Sequence, residues 1–332
     1  MYFIKLTIEM MSIAKLKILA ATILILFTAV GAHADKYPSK PIKLFVTWPA
    51  GGAADGVGRA LAQALTTELG QSVLVENIAG AGGNIGTQQF VRTNPDGYTL
   101  LLATSSTNVA NPYLYKKVGF EPISDFVPIV YVADIPSVMV VATSSSFQSP
   151  KDVIVAAKLK PGKMSFASGG VGNSAHLAGS LFKSTAGIDV IHVPYKGSAP
   201  ALTDVMSGQV DYMLDTGAYS QIKGGKVRAL AVASPSRHPI LPDVPTFDEL
   251  GIKSVYMSAW YGLAAPANSP AAIVNLVNAA INNALKSGDL KQRLATIGAE
   301  AKGGTPSEFA EFWRKELVRY ESLVRTTGAS LD

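Results

Sequence analysis

From Pro41 onward, short β-rich runs alternate with amphipathic stretches, and no other feature of the chain restricts its fold as strongly. Residues 42–48 read as a strand, Val57, Leu61, Leu65 and Leu69 mark one helix face, and residues 73–78 and 98–103 read as further strands. That order is the pattern of βαβ units on a parallel sheet. A second series begins after Asp125, Phe126 and Val127, with strands at 138–142, 164–167, 190–193, 210–214 and 227–233 and helices at 152–159, 175–186 and 199–206. Residues 258–266 are apolar and extended, and helices are expected at 273–285, 290–297 and 306–324.

The economical arrangement is an α/β fold of two lobes, each a mainly parallel sheet flanked by helices. Residues 35–133 and 262–332 would form lobe 1 and residues 134–261 lobe 2, joined by two crossover segments that permit closure around a ligand. With 48% hydrophobic and 16% charged residues, 332 residues bury a core large enough for both lobes.

Residues 1–34 stand apart. Lys15 and Lys17 precede the run from Ile18 to Val30, and Ala32, His33 and Ala34 make an A-x-A cleavage site. As a helix that run covers about 20 Å, against ~30 Å of membrane hydrocarbon, so it reads as a cleaved signal peptide and the mature chain as periplasmic. No Cys is present, so the exported fold relies on core burial. Removing Lys5, Lys15, Lys17 and Glu9 takes the charge from +5 to +3 (26 basic, 23 acidic residues). Nothing resembles the basic clusters that nucleic acid requires.

Two glycine-rich turns carry the chemistry. After the first strand comes Trp48, Pro49, Ala50, Gly51, Gly52, Ala53, Ala54, Asp55, then a helix. After the strand ending at Ala167 comes Ser168, Gly169, Gly170, Val171, Gly172, Asn173, Ser174, then a helix carrying His176. Small residues admit a ligand to the backbone, and first-turn N–H groups lack intrahelical partners, so each turn suits a carboxylate. Charge-assisted hydrogen bonds are worth about 1.5–3 kcal/mol each, so four supply the ~8 kcal/mol of micromolar binding after closure. Asp55 fits poorly as an anion contact; as a helix N-cap paired with Arg59 it is at least as well explained. The turn 80–86, with Asn84, is either a ligand contact or a tight turn. Ser105 and Ser106 stand at a C-terminal strand edge, where open α/β sheets bind ligands.

Enzyme readings fare worse. Residues 170–175 satisfy a loose dinucleotide pattern, but Asp189 would begin its strand, at the wrong sheet edge for a ribose contact. A secreted hydrolase using Ser174 and His176 lacks a G-x-S-x-G elbow, and two positions apart on a helix their side chains diverge. His176, His192 and His238 are spaced unlike a metal cluster, so no metal, cofactor or catalytic group is expected, and His192 and His238 read as structural.

Taken together, residues 37–42, 50–55, 75–77, 80–86, 95–100, 176–179, 192–197, 244–246 and 260–262 resemble the Bug, or TctC-like, family of periplasmic receptors serving tripartite tricarboxylate transporters. The resemblance covers essentially all of the mature chain. It implies a type II periplasmic-binding-protein fold, a two-lobed trap for a small organic acid, and delivery to integral membrane permease subunits; the chain is separately expected to be a monomer. It also implies ligand contact by the loops 48–55 and 168–176, partly through water, and further by Asn84, Ser105, Lys196 and Asp215. Trp48 stands where the family more often has a smaller aromatic; it either stacks on a flat ligand or packs under the cleft.

Overall fold

Val57, Leu61 and Leu65 lie fully buried along helix α1 (Ala53–Leu69), as the spacing predicts. The computed structural model describes residues 37–327, so the expected signal peptide at 1–34 lies outside the described residues. Helix α1 links β1 (Ile42–Val46) to its parallel neighbour β2 (Val73–Asn77), and β3 (Thr99–Thr104) pairs in parallel with the other edge of β1. A short α2 (Asn84–Phe90) precedes β3, and a π-turn at Ser106–Ala110 follows it into α3 (Asn111–Leu114).

Next comes β4 (Phe126–Pro136), at eleven residues the longest strand described. This strand is not among those expected from the sequence, and Pro128, Asp134 and Pro136 locally disfavour a central strand. Two irregularities interrupt its register with β10 (Ser258–Pro266), at Val132 and Ile129, while Pro128, Asp134 and Pro136 stay paired with Ala264, Trp260 and Ser258. One residue later β5 (Val138–Ala142) opens a second series: α4 (Pro150–Leu159), β6 (Ser165–Ser168), α5 (Ser174–Ala186), β7 (Ile191–Pro194), α6 (Ser198–Met206), β8 (Tyr212–Asp215), α7 (Tyr219–Lys223) and β9 (Val227–Val232). After β10 the chain ends in α8 (Ala271–Ser287), α9 (Asp289–Thr296), β11 (Glu300–Ala301) and α10 (Pro306–Thr327).

The strands form two sheets, ordered β2-β1-β3-β10-β4-β11 and β7-β6-β8-β5-β9. Each sets three parallel strands side by side, then one reversed strand, then a fourth. Reversed strands β10 and β5 are those that have just crossed from the other sheet, and the two-residue β11 beside β4 is reversed as well, so the pairing is mixed although most strands share one direction. The expected lobe boundaries, 133/134 and 261/262, fall inside β4 and β10. At the crossing, Ser137 N–H donates to Met257 O, Met257 N–H to Ala233 O and Ala233 N–H to Ser137 O, at 2.8–2.9 Å.

Strand β10 is buried on both faces, and its period-two alternation divides its work. Trp260 and Gly262 face α10, whose Phe309, Trp313, Tyr320 and Val324 make one buried stripe. A Cβ on Gly262 would lie 2.0 Å from Phe309 Cζ, so only glycine lets the far end of that ring pack against the strand. Ala259 and Tyr261 face a cavity on the other side.

Candidate functional site

That cavity, ≈ 60 Å³, opens at the C-terminal ends of the parallel strands of both sheets. The loop after β1 supplies Trp48, Pro49, Ala50, Gly52, Ala53 and Ala54; the end of β3 supplies Thr104, Ser105 and Ser106. From the second sheet come Asn173 and Ser174, then Lys196 to Pro200, then Thr216. Among the expected site residues, Trp48, Ala50, Gly52, Ser105, Ser106, Asn173, Ser174 and Lys196 therefore share one wall.

Three helix starts converge here, where two were expected. Helix α6 adds its first turn at Ser198 and Ala199, after Lys196 and Gly197. The signal was present: Gly197 follows a strand and precedes a helix, as Gly52 does. Neither α1 nor α6 carries a side-chain cap, so their first N–H groups keep their hydrogen-bonding capacity, and the partial positive charge of each faces the cavity. Gly197, with φ 113° and ψ 164°, occupies backbone space open essentially to glycine alone, and a Cβ there would lie 3.4 Å from Pro49 Cγ. The loops from the two sheets thus already touch across the cavity mouth.

The other expected residues stand behind this wall. Asp55 is not the N-cap, which is Gly52; it is the third helical residue, folded back so that its carboxylate accepts from Gly51 N–H (3.1 Å), Arg59 Nε (3.0 Å) and Asn77 Nδ2 (3.1 Å). Burial acts to raise its pKa, but those hydrogen bonds and the Arg59 charge outweigh burial and hold it below 3.8. Asn77 Nδ2 also donates to Trp48 O (3.0 Å), so Asp55 and Asn77 together fix the loop, and Gly51 spends its N–H on that anchorage. Trp48 Nε1 donates to Thr104 Oγ1 (3.4 Å), tying the indole to the β3 edge.

In the second loop, Asn173 caps α5 by accepting from His176 N–H (2.9 Å), and His176 Nδ1 accepts from Gly172 N–H (3.1 Å). The His176 ring stacks on His192 at 4.0 Å, and His192 Nε2 lies 2.7 Å from Ser168 Oγ, which also bonds Gly170. Burial lowers the pKa of His176 to about 4, and burial with the charge of His176 lowers that of His192 to about 3. Both rings are neutral at pH 7 and brace the loop; Gly170, Gly172 and His176 do not line the cavity. Ser174 and His176 form no hydrogen-bonded pair, since the His176 Nδ1 lone pair is occupied by Gly172.

Asn84 is buried beneath the turn 80–86, accepting from Asn111 Nδ2 (2.7 Å), and is also off the wall. Asp215 is 1% exposed, directly behind Ser198, whose hydroxyl donates to it at 3.1 Å.

Residues 57–329 match the model of the tripartite tricarboxylate transporter family receptor, TctC. Protein BugT of Bordetella pertussis (strain Tohama I) is 37% identical over 306 residues, which span 91% of this chain and 94% of that protein. Among solved structures, R. palustris Rpa4515 with adipate is similar at 32% identity and a TM-score of 0.86, covering 89% of this chain and 100% of that one. MatC from Rhodopseudomonas palustris with bound malate is similar at 30% identity and a TM-score of 0.81, covering 87% and 100%.

Proposed function

Since the chain belongs to the tripartite tricarboxylate transporter receptor family and is a solute-binding receptor, we propose that it captures a small carboxylate in the periplasm and presents it, as a monomer, to the integral subunits of a tripartite permease. The observation that carries this reading is the convergence of three helix starts, two without side-chain caps, on one cavity whose only basic side chain among the described residues is Lys196. The helix starts hold one carboxylate; Lys196 at the exposed rim meets a second polar group. One lysine and three partial charges suit a mono- or dicarboxylate better than a trianion. The similar proteins with adipate and with malate carry ligands of that class.

Capture works by closure. Residues 35–133 with 262–332 form one jaw and residues 134–261 the other, and the Pro49 and Gly197 loops meet when the ligand is enclosed. The segment 1–34 directs export and is removed. Calorimetry of ligand-stripped mature protein against mono-, di- and tricarboxylates tests the reading: saturable micromolar binding of at least one acid is expected, and no binding to any member of the panel would refute it.

A further inference from the structure

Asp215 closes strand β8 with its carboxylate almost wholly out of water and makes no ion pair among the described residues. Its Oδ1 accepts from Ser198 Oγ (3.1 Å) and its Oδ2 from Gly217 N–H (3.0 Å). Ser198 lines the cavity. A Cβ on Gly217 would lie 3.0 Å from Asp215 Oδ2, 3.8 Å from Ser198 Cβ and 3.7 Å from Ala53 N, so this carboxylate sits at the meeting of the α1 and α6 starts, where a bound anion must also sit. Two negative charges would then share one set of helix termini, separated by a single serine.

Resting on the carboxylate reading above, we infer that the receptor takes up one proton from solvent at Asp215 when it captures an anion. With Asp215 ionised, the Ser198 hydroxyl proton is committed to it, and the serine offers the cavity only lone pairs. With Asp215 protonated, its own O–H donates to Ser198 Oγ, and the serine proton turns to the ligand carboxylate. Atoms and charge balance: one proton enters from bulk water as one negative charge enters from the cavity, and the buried net charge is unchanged.

The surroundings leave Asp215 as the responding group. Tyr261 of β10 and Tyr219 of α7 face it as neutral phenols; burial raises the pKa of both. His176 on α5 is neutral, and Lys183 of that helix is paired with Asp189. Asp204 on α6 accepts from Tyr195 OH, Asp55 on α1 is paired with Arg59, and β5 and β6 contribute no titratable side chain. Helix α7 carries Lys223 at its exposed last position, and Lys196, at the rim, is the one charged side chain that lines the cavity among the described residues. Burial already raises Asp215 to about 6, and hydrogen bonds from Ser198, Gly217 and Thr216 only partly oppose that rise. A second carboxylate a few ångströms away increases its proton affinity on the order of a hundredfold.

Calorimetric titration with adipate and with malate, in phosphate and in Tris from pH 6 to pH 8, decides the matter. Expected are uptake of ~0.8 proton per ligand at pH 7 and an affinity about twenty-fold weaker at pH 8 than at pH 6. Asp215→Asn should bind with no proton uptake and a flat profile, which also controls for titration of the ligand itself. Saturable wild-type binding without proton uptake overturns the coupling and leaves the receptor reading standing. An Asp215→Asn protein that keeps the pH slope overturns the assignment to Asp215. Failure of every carboxylate to bind removes the receptor reading, and the coupling with it.

Discussion

Replacing Asp215 by asparagine should stabilise the ligand-free protein, and only at neutral and alkaline pH. In the unfolded chain this carboxyl ionises near 3.8, and in the fold, where burial disfavours the charge, at about 6. Between those values the folded protein retains a proton that the unfolded chain has released, so stability falls as pH rises through that window and stays low above it. At about 1.36 kcal/mol per tenfold change in proton affinity, the ionised carboxylate costs the fold about 3 kcal/mol. Asparagine escapes that cost while keeping the side-chain shape. Urea denaturation of both proteins at pH 4 and pH 8 measures it: because the unfolded carboxyl is already more than half ionised at pH 4, the difference between them should move by about 2.4 kcal/mol in favour of asparagine, roughly 1 M in the midpoint at pH 8. A difference that stays constant across the two pH values, or moves the other way, would show that Asp215 is not an uncompensated buried charge.

Three further outcomes are expected. Trp48 lines the cavity while Trp260 and Trp313 are in the core, so saturating ligand should change tryptophan emission in the wild type and not in Trp48→Phe. His192 is held neutral by burial, so the folded protein loses stability as pH falls below about 6.5; thermal melts of His192→Gln should show a smaller loss between pH 7 and pH 4.5, by about 2 kcal/mol. Gly262→Ala should destabilise by about 1–3 kcal/mol or more through its clash with Phe309, as read by denaturant midpoint, while the folded fraction keeps wild-type ligand affinity because Gly262 faces away from the cavity.

Much of this architecture was legible in the chain because its regular elements obey local rules. The 57, 61, 65 stripe and the glycine turns at 51–52 and 169–172 mark their helix starts without any knowledge of tertiary contacts. Strand β4 was not legible: Pro128 and Pro136 speak against a strand locally, and only the bulged pairing with β10, more than a hundred residues away, overrides them. Within the site, the loops were found but the division of labour was not. Ala54 and Asp55 are adjacent, yet one meets the cavity and the other anchors the loop from behind, because the carboxylate is drawn to Arg59, Asn77 and Gly51. The same division separates Ser174 from His176 and Ser198 from Asp215. The part played by α6 went unread because Gly197 is a single glycine after a short strand, a weak local signal whose meaning depends on Pro49 lying opposite.

The placement of β10 between β3 and β4 has a consequence for biogenesis. Until residues 258–266 are available, β3 and β4 each expose an unsatisfied row of backbone donors and acceptors, whereas every strand of the other sheet is present once residue 232 has emerged. A chain delivered amino end first must therefore leave its opening third unfinished while its middle consolidates. No fragment ending before residue 258 can have a continuous first sheet, and the bare flanks of β3 and β4 make such fragments prone to self-association.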